Sequence, residues 1–269
     1  MQTELLLAHV LKLPRMKLYL NFDRVLSPAE TDALRELVKR RGLREPLQHI
    51  VGSTSFCGYE MAVTKAALIP RPETELLAEA GWQWLQARQG DDAPAALDFG
   101  TGTGCIAIAL AAKCPAAAVT ALDVSAEALE LARANAVKNN VSDRIQFFQG
   151  DGFVALTGGA SRAYDLIVSN PPYIASTEIP TLEPEVRDFD PKNALDGGAD
   201  GLDFYRMLAA QAKAFLKADG KIMMEFGDGQ AEAIKRIFEG EKWIVEAVKE
   251  DYSHRARILI ARKGDNEPG

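Results

Sequence analysis

The chain has 269 residues, 47% hydrophobic and 26% charged, with a formal net charge of −7. That length suits one large domain, or one domain with a small companion. The acidic balance argues against a broad nucleic-acid surface, which needs clustered Lys and Arg, and no apolar run approaches the roughly 20 residues of a membrane span.

The first ten residues carry no basic segment ahead of their leucines, so they read as a helix and not as a signal peptide. Leu5, Leu6, Val10 and Leu11 recur at helical spacing. Ser27-Pro28-Ala29-Glu30 forms a capping-box pattern with proline at the first helical position. Leu34, Leu37 and Val38 continue that helix, and Gly42 is its expected stop. Arg40, Arg41 and Arg44 form one local basic patch, read as a solvated helix end.

From Ser53 to Leu68 the pattern turns to short extended pieces, and a two-stranded connector is expected. Pro70 and Pro72 then force an extended segment, with a helix starting near Thr74. Trp82 and Trp84 on that helix cannot share one face. Arg71 and Glu73 read equally as a lid over a pocket and as an ion-paired surface turn. After the polar break at Arg88–Asp92, strands alternate with helices. Strands are expected at 95–99, 118–122, 145–148, 165–169, 221–226, 243–248 and 257–261. Helices are expected at 105–113, 126–138, 204–216 and 230–238, and a polar tail closes the chain at Asp265–Gly269. This alternation implies an α/β fold with a mostly parallel, doubly wound sheet whose ligands sit at the carboxyl ends of the strands.

Cys57, Cys105 and Cys114 show no paired spacing, so disulfides are not expected and a reducing cytoplasm fits. His9, His49 and His254 are scattered, so no zinc site is expected, and His254 reads as a structural or surface residue.

The first strand of the alternating region ends in Asp98-Phe99-Gly100-Thr101-Gly102-Thr103-Gly104. Glycines there let the backbone turn sharply and approach a ligand. Asp123 closes the next strand, where a carboxylate can accept from ribose hydroxyls. An adenosine-containing cofactor follows. Gly102-x-Gly104-x-x-Ala107 also satisfies the dinucleotide pattern, so the loop alone leaves that cofactor open beside S-adenosylmethionine. For the latter, the acid at Asp98 can help hold the ammonium.

Asn170-Pro171-Pro172-Tyr173 follows the fourth strand and faces the same edge. A planar amide or amino nitrogen is a poor nucleophile because its lone pair is delocalised. Two acceptors that bind its hydrogens orient it, and the Asn170 side-chain oxygen and the Pro171 carbonyl are the candidates. The prolines rigidify the loop, and the Tyr173 ring can lie against the flat group. Catalysis is then mainly positioning.

Asp98–Gly104, Asp123 and Asn170–Tyr173 together resemble the Rossmann-type S-adenosylmethionine-dependent N-methyltransferases. Within them the chain resembles the HemK/PrmC family, the protein-(glutamine-N5) methyltransferases that act on peptide chain release factors. Glu45–Gly52, Ile69–Glu75, Asn193–Gly198 with Asp200–Leu202, and Glu225–Gly227 carry the resemblance along nearly the whole chain. It implies a class I methyltransferase fold with a seven-stranded sheet. It implies a helical substrate-recognition domain at 1–52, a hairpin linker at 53–73 and a catalytic domain at 74–269. It implies cofactor contacts from Gly100, Thr101, Gly102, Thr103, Gly104 and Asp123, and amide binding by Asn170 to Tyr173. The implied substrate is the glutamine of the Gly-Gly-Gln tip of class I release factors, bound by a monomer without direct nucleic-acid contact.

Against the family pattern the chain starts about one helix short. Gly152 stands where some relatives carry a bulky aromatic beside the adenine; its backbone and the Phe153 side chain are expected to serve there. Asp190 replaces the usual glutamate. Glu185 and Arg187 are read as solvated charges near the substrate mouth. The runner-up reading is a nucleic-acid amino-methyltransferase acting on adenine N6 or guanine N2.

Overall fold

The computed structural model describes residues 2–88, 92–157 and 163–264. The polar break after Arg88 is described only at its two ends, and the tail Asp265–Gly269 lies outside the described residues.

Helices α1 (Gln2–Leu11), α2 (Arg15–Leu18), α3 (Pro28–Gly42) and α4 (Leu47–Val51) open the chain. The capping box at α3 is complete: Ser27 Oγ accepts from the Glu30 N–H, and a Glu30 carboxylate oxygen accepts from the Ser27 N–H. Gly42 falls inside the last turn of α3, and the left-handed position belongs to Arg44, φ 68°. The short helix α2 was not anticipated, because one turn carries no readable period.

Strands β1 (Ser53–Phe56) and β2 (Tyr59–Ala62) form the expected antiparallel hairpin. Helix α5 (Pro72–Ala87) starts on Pro72, two residues earlier than expected near Thr74. Both Trp82 and Trp84 are half-buried, with Lys113 over the first ring and Arg88 over the second.

Then come β3 (Ala95–Phe99), α6 (Cys105–Lys113), β4 (Ala118–Asp123), α7 (Ala126–Lys138), β5 (Ile145–Gln149) and β6 (Tyr164–Ser169). The remainder holds α8 (Pro184–Arg187), α9 (Asp203–Gln211), β7 (Leu216–Glu225), α10 (Ala231–Gly240), β8 (Trp243–Glu250) and β9 (Ala256–Lys263). The large sheet runs β5-β4-β3-β6-β7-β9-β8, parallel except at β9, which is antiparallel to both neighbours.

Two apolar layers sandwich it. Ala96 of β3 faces the layer of α5 and α6, while Leu97 and Phe99 face that of α9 and α10. Fully burying a Leu, Ile or Phe contributes about 1.5–3 kcal/mol, so these two layers carry the fold. The N-terminal helices, by contrast, bury little beyond Leu6, Ala8 and Ile50. The chain leaves the sheet centre through β4 to β5 and returns at β6, which places a topological switch point between β3 and β6.

Candidate active site

The register at the switch point brings the two sequence motifs together. Phe99 pairs with Ser169, the last residues of β3 and β6. Ser169 Oγ also donates to the Phe99 carbonyl at 2.7 Å. Gly100 and Asn170 therefore leave neighbouring strand ends, about 5 Å apart across the ladder.

The loop from Gly100 to Gly104 is held from below and from the side. Asp98 Oδ2 accepts from Thr101 Oγ1 at 2.6 Å and from the Ala107 N–H at 3.0 Å. Asp123 Oδ2 accepts from the Gly102 N–H at 2.8 Å, and Asp123 Oδ1 from the Ser125 N–H at 2.9 Å. Gly104 has φ 81°, and a Cβ there would meet the Ala132 Cβ of α7 at 3.0 Å. Asn135, also on α7, donates to the carbonyls of Ala62 and Thr103, so it ties the hairpin to the same loop.

Around this loop lies a cavity of about 210 Å³. Gly100, Thr101, Gly102, Thr103, Asp123, Gly152, Asn170 and Pro172 line it, and residues 66–68, 70 and 71 of the connector close one side. Ile106, Leu122, Ala128 and Met207 supply apolar wall. A second cavity, about 290 Å³, is lined by Pro171, Tyr173, Glu73, Glu225 and Arg257 among others. Leu68, Arg71, Asn170 and Ala194 line both. Asn170 is thus part of the wall between them.

Three of the candidate residues do not line either cavity. Asp98 is wholly buried under the loop, and its visible work is to hold Thr101 and the start of α6. Its Oδ1 is buried without a hydrogen-bond partner. Burial pushes its carboxyl up to about 7, against the opposing hydrogen bonds from Thr101 and Ala107. Gly104 serves helix packing. Phe153 is 1% exposed and sits between Phe99 and Phe215, with ring centres 4.8 Å from each. It is core, lying behind Gly152.

The Asn170–Tyr173 loop is clamped by partners that the sequence did not reveal. Asn170 Nδ2 donates to Thr74 Oγ1 at 3.1 Å. Gln230 Nε2 donates to the Tyr173 carbonyl at 2.9 Å. Ile174 exchanges backbone hydrogen bonds with Leu195 and Gly197. A Cβ on Gly201, φ 75°, would fall 2.3 Å from the Tyr173 carbonyl oxygen, which explains glycine there. Burial, and then the charge of Glu225, raises the Tyr173 phenol above its usual value, so it stays neutral.

Arg71 is more than a surface turn. It donates to the buried Asp190 carboxylate at 2.6 Å, and Asp190 also accepts weakly from the Ile69 N–H. Glu185, expected to be solvated, pairs with Arg41 at 2.8 Å and with Arg44; Arg44 also pairs with Glu183. Arg40 pairs with Glu45. The basic patch of the sequence is therefore neutralised by carboxylates. Arg187 pairs only with its neighbour Asp188 among the described ion pairs, and His254 is a surface residue.

The family model described as "Methyltransferase small domain" matches residues 78–182, and that described as "PrmC N-terminal domain" matches residues 2–52. A release factor glutamine methyltransferase from Geobacter sulfurreducens is 45% identical over 238 residues, covering 88% of this chain and 80% of its own length. Proteins of the same name from Rhodospirillum rubrum and Chlorobaculum tepidum are each 43% identical. Each alignment covers 96% of this chain, and 77% and 88% of theirs. The chain belongs to the release factor glutamine methyltransferase family.

The fold agrees with that membership. A methyltransferase from Pyrococcus furiosus superposes with a TM-score of 0.56 at 21% identity, covering 87% of this chain and 99% of its own. The catalytic domain of hMettl16, solved in complex with an RNA hairpin, gives 0.57 at 18% identity, covering 78% and 77%. At such identities the likeness concerns the class I methyltransferase fold alone. Among the described residues no helix is long and apolar enough to cross a membrane.

Proposed function

We propose that this enzyme transfers a methyl group from S-adenosylmethionine to the side-chain amide nitrogen of the glutamine in the Gly-Gly-Gln tip of class I release factors. The observation that carries this reading is the pair of cavities that share Asn170 as wall. One has the lining of a nucleoside site, the other a rigid proline-edged mouth for a flat polar group.

The residues present fit the cofactor. Asp123 faces the first cavity with two of its roughly four acceptor positions engaged, leaving room for ribose hydroxyls. The apolar wall and the Gly152 backbone suit an adenine, and Gly152, φ 66°, has open space where a Cβ would stand. Asp98 lines neither cavity and would serve the cofactor through the loop it holds at Thr101 and Ala107. When bound, the cofactor supplies an electrophilic methyl on sulfonium.

The chain supplies position. Thr74 engages the nitrogen of the Asn170 amide, so its oxygen is left to accept an N–H from the substrate. The Pro171 carbonyl is the second acceptor, and the Tyr173 ring borders the flat group. With both hydrogens held in plane, the nitrogen presents its face to the methyl, and the gain is chiefly orientational. No strong base is needed, because the alkylated nitrogen is acidic and sheds its proton afterwards. The ion-paired state of Arg40, Arg41 and Arg44 favours a protein substrate over nucleic acid, which needs free cations.

Purified protein incubated with methyl-labelled S-adenosylmethionine and release factor tests this. Label is expected in the wild-type release factor and absent when the tip glutamine is replaced. Equal labelling of that variant would overturn the substrate assignment.

A further inference from the structure

The second cavity is bordered by two polar groups with unused hydrogen-bonding capacity. Glu225 ends β7 and pairs in register with Ile258, so Arg257, the neighbour of Ile258 on β9, stands at the same sheet edge. Both residues line the cavity. Glu225 is 3% exposed, and its Oε2 is buried with no hydrogen-bond partner among the described residues. Arg257 is anchored by its own strand ends: Nε donates to Asp251 Oδ2 and Nη1 to the Phe226 carbonyl, each at 3.2 Å. Nothing among the described residues accepts from Nη2. The other charged residues on this cavity are Glu73 and Arg71, and Arg71 already donates to Asp190.

An unpaired buried acceptor destabilises a fold, so its place on a cavity wall points to a ligand that completes it. On the proposed reading, the glutamine side chain brings two N–H and one carbonyl oxygen. Asn170 Oδ1 and the Pro171 carbonyl take both N–H, so Glu225 must receive its N–H from another group. A guanidinium on the side-chain carbonyl would draw electron density from the nitrogen that has to attack. Nη2 is therefore better matched to a different carbonyl. Apart from its amide the glutamine side chain is hydrocarbon. What remains is the peptide main chain, with one N–H and one C=O per residue. Glycines let a main chain approach this closely.

We propose that Glu225 and Arg257 form a main-chain clip for the Gly-Gly-Gln tip: Glu225 Oε2 accepts a peptide N–H, Arg257 Nη2 donates to a peptide carbonyl, and the pair selects glycine ahead of the glutamine. The clip rests on the reading of Asn170 and Pro171 as the amide acceptors. It does not depend on titration of Glu225. Burial raises that carboxyl to about 7, and a carboxyl keeps an acceptor oxygen in either form.

Methyl-transfer kinetics and melting of the full chain test the clip. Arg257→Gln should raise the KM for release factor about 10-fold, while the KM for S-adenosylmethionine stays within about twofold. A release factor with alanine in place of the glycine just before the tip glutamine should raise KM about 10-fold in the wild type, and less than about threefold further in Arg257→Gln, because both changes break one contact. A general structural defect would instead leave the alanine penalty undiminished. Glu225→Met removes an acceptor reserved for substrate. It should raise the release-factor KM about 10-fold and yet melt no lower than the wild type without substrate. A wild-type release-factor KM in Glu225→Met, a melt well below wild type in that variant, or an undiminished alanine penalty in Arg257→Gln would each overturn the clip. Absence of label from release factor with the wild-type enzyme overturns the reading of the reaction, and the clip with it. Should Arg257→Gln fail to fold by circular dichroism, Glu225→Met decides alone.

Discussion

In the proposed reaction Asn170 concentrates the chemistry in one amide, and its replacement should separate binding from turnover. Asn170→Ala should lower kcat by about 100-fold, with the calorimetric affinity for S-adenosylmethionine changed by less than about threefold; unchanged turnover would remove it from the mechanism. Asp98 makes a different prediction. Its carboxyl is raised from 3.8 to about 7 by burial, so the folded protein holds that proton more tightly than the unfolded chain. The associated stability is fully present below 3.8 and is lost as pH rises through about 7. The melting temperature of cofactor-free protein should therefore carry a falling component across that interval, and Asp98→Asn should flatten it. A melting series over pH with both proteins checks the sign.

At the scale of elements, the loop after β6 depends on glycines some thirty residues away. Gly201→Ala would place a methyl 2.3 Å from the Tyr173 carbonyl at a φ of 75°. It should cost about 1–3 kcal/mol of stability and reduce kcat, read by denaturant melts and labelling together. The alternating strands and helices were legible because their apolar runs are bounded by clear breaks. The helix expected at 204–216 ends sooner: α9 stops at Gln211, a 3₁₀ turn spans Ala212–Phe215, and β7 begins at Leu216. Lys217, Asp219 and Gly220 hid the start of that strand by interrupting its apolar pattern. Of the candidate site, the glycine loop, Asp123 and Asn170–Tyr173 were readable from position alone. Thr74, Asn135 and Gln230 were not, because their partners lie 96, 73 and 57 residues away. Nothing in a local window marks such a contact. Phe153 was misplaced toward the cofactor because the apolar character that suggested cover for a ligand serves equally in a core.

Over the whole molecule, the N-terminal helices meet the catalytic region through a small set of charges and a ring contact between His49 on α4 and Phe189, centres 6.4 Å apart. Arg41 in the last turn of α3 and Arg44 just beyond it grip Glu185 on α8, in the segment that follows the Asn170 loop. Exposed pairs contribute roughly 0.2–1 kcal/mol each, and a shared carboxylate joins these two. Glu185→Gln should therefore leave the global melt nearly unchanged, within about 1 kcal/mol. Hydrogen exchange should nonetheless quicken at residues 183–190 and around α4. If exchange there stays at the wild-type rate, the ion pairs are not what couples the two regions.

The pairing of Phe99 with Ser169 has one more implication. On the proposed reading, the loop that would hold the donor and the loop that would hold the acceptor are grafted onto adjacent rails of one continuous sheet, so their separation is a property of β geometry and not of hinge closure. A redesign that enlarges the mouth for a bulkier amide can reshape the surrounding loops freely, but it inherits a fixed gauge between the two motifs.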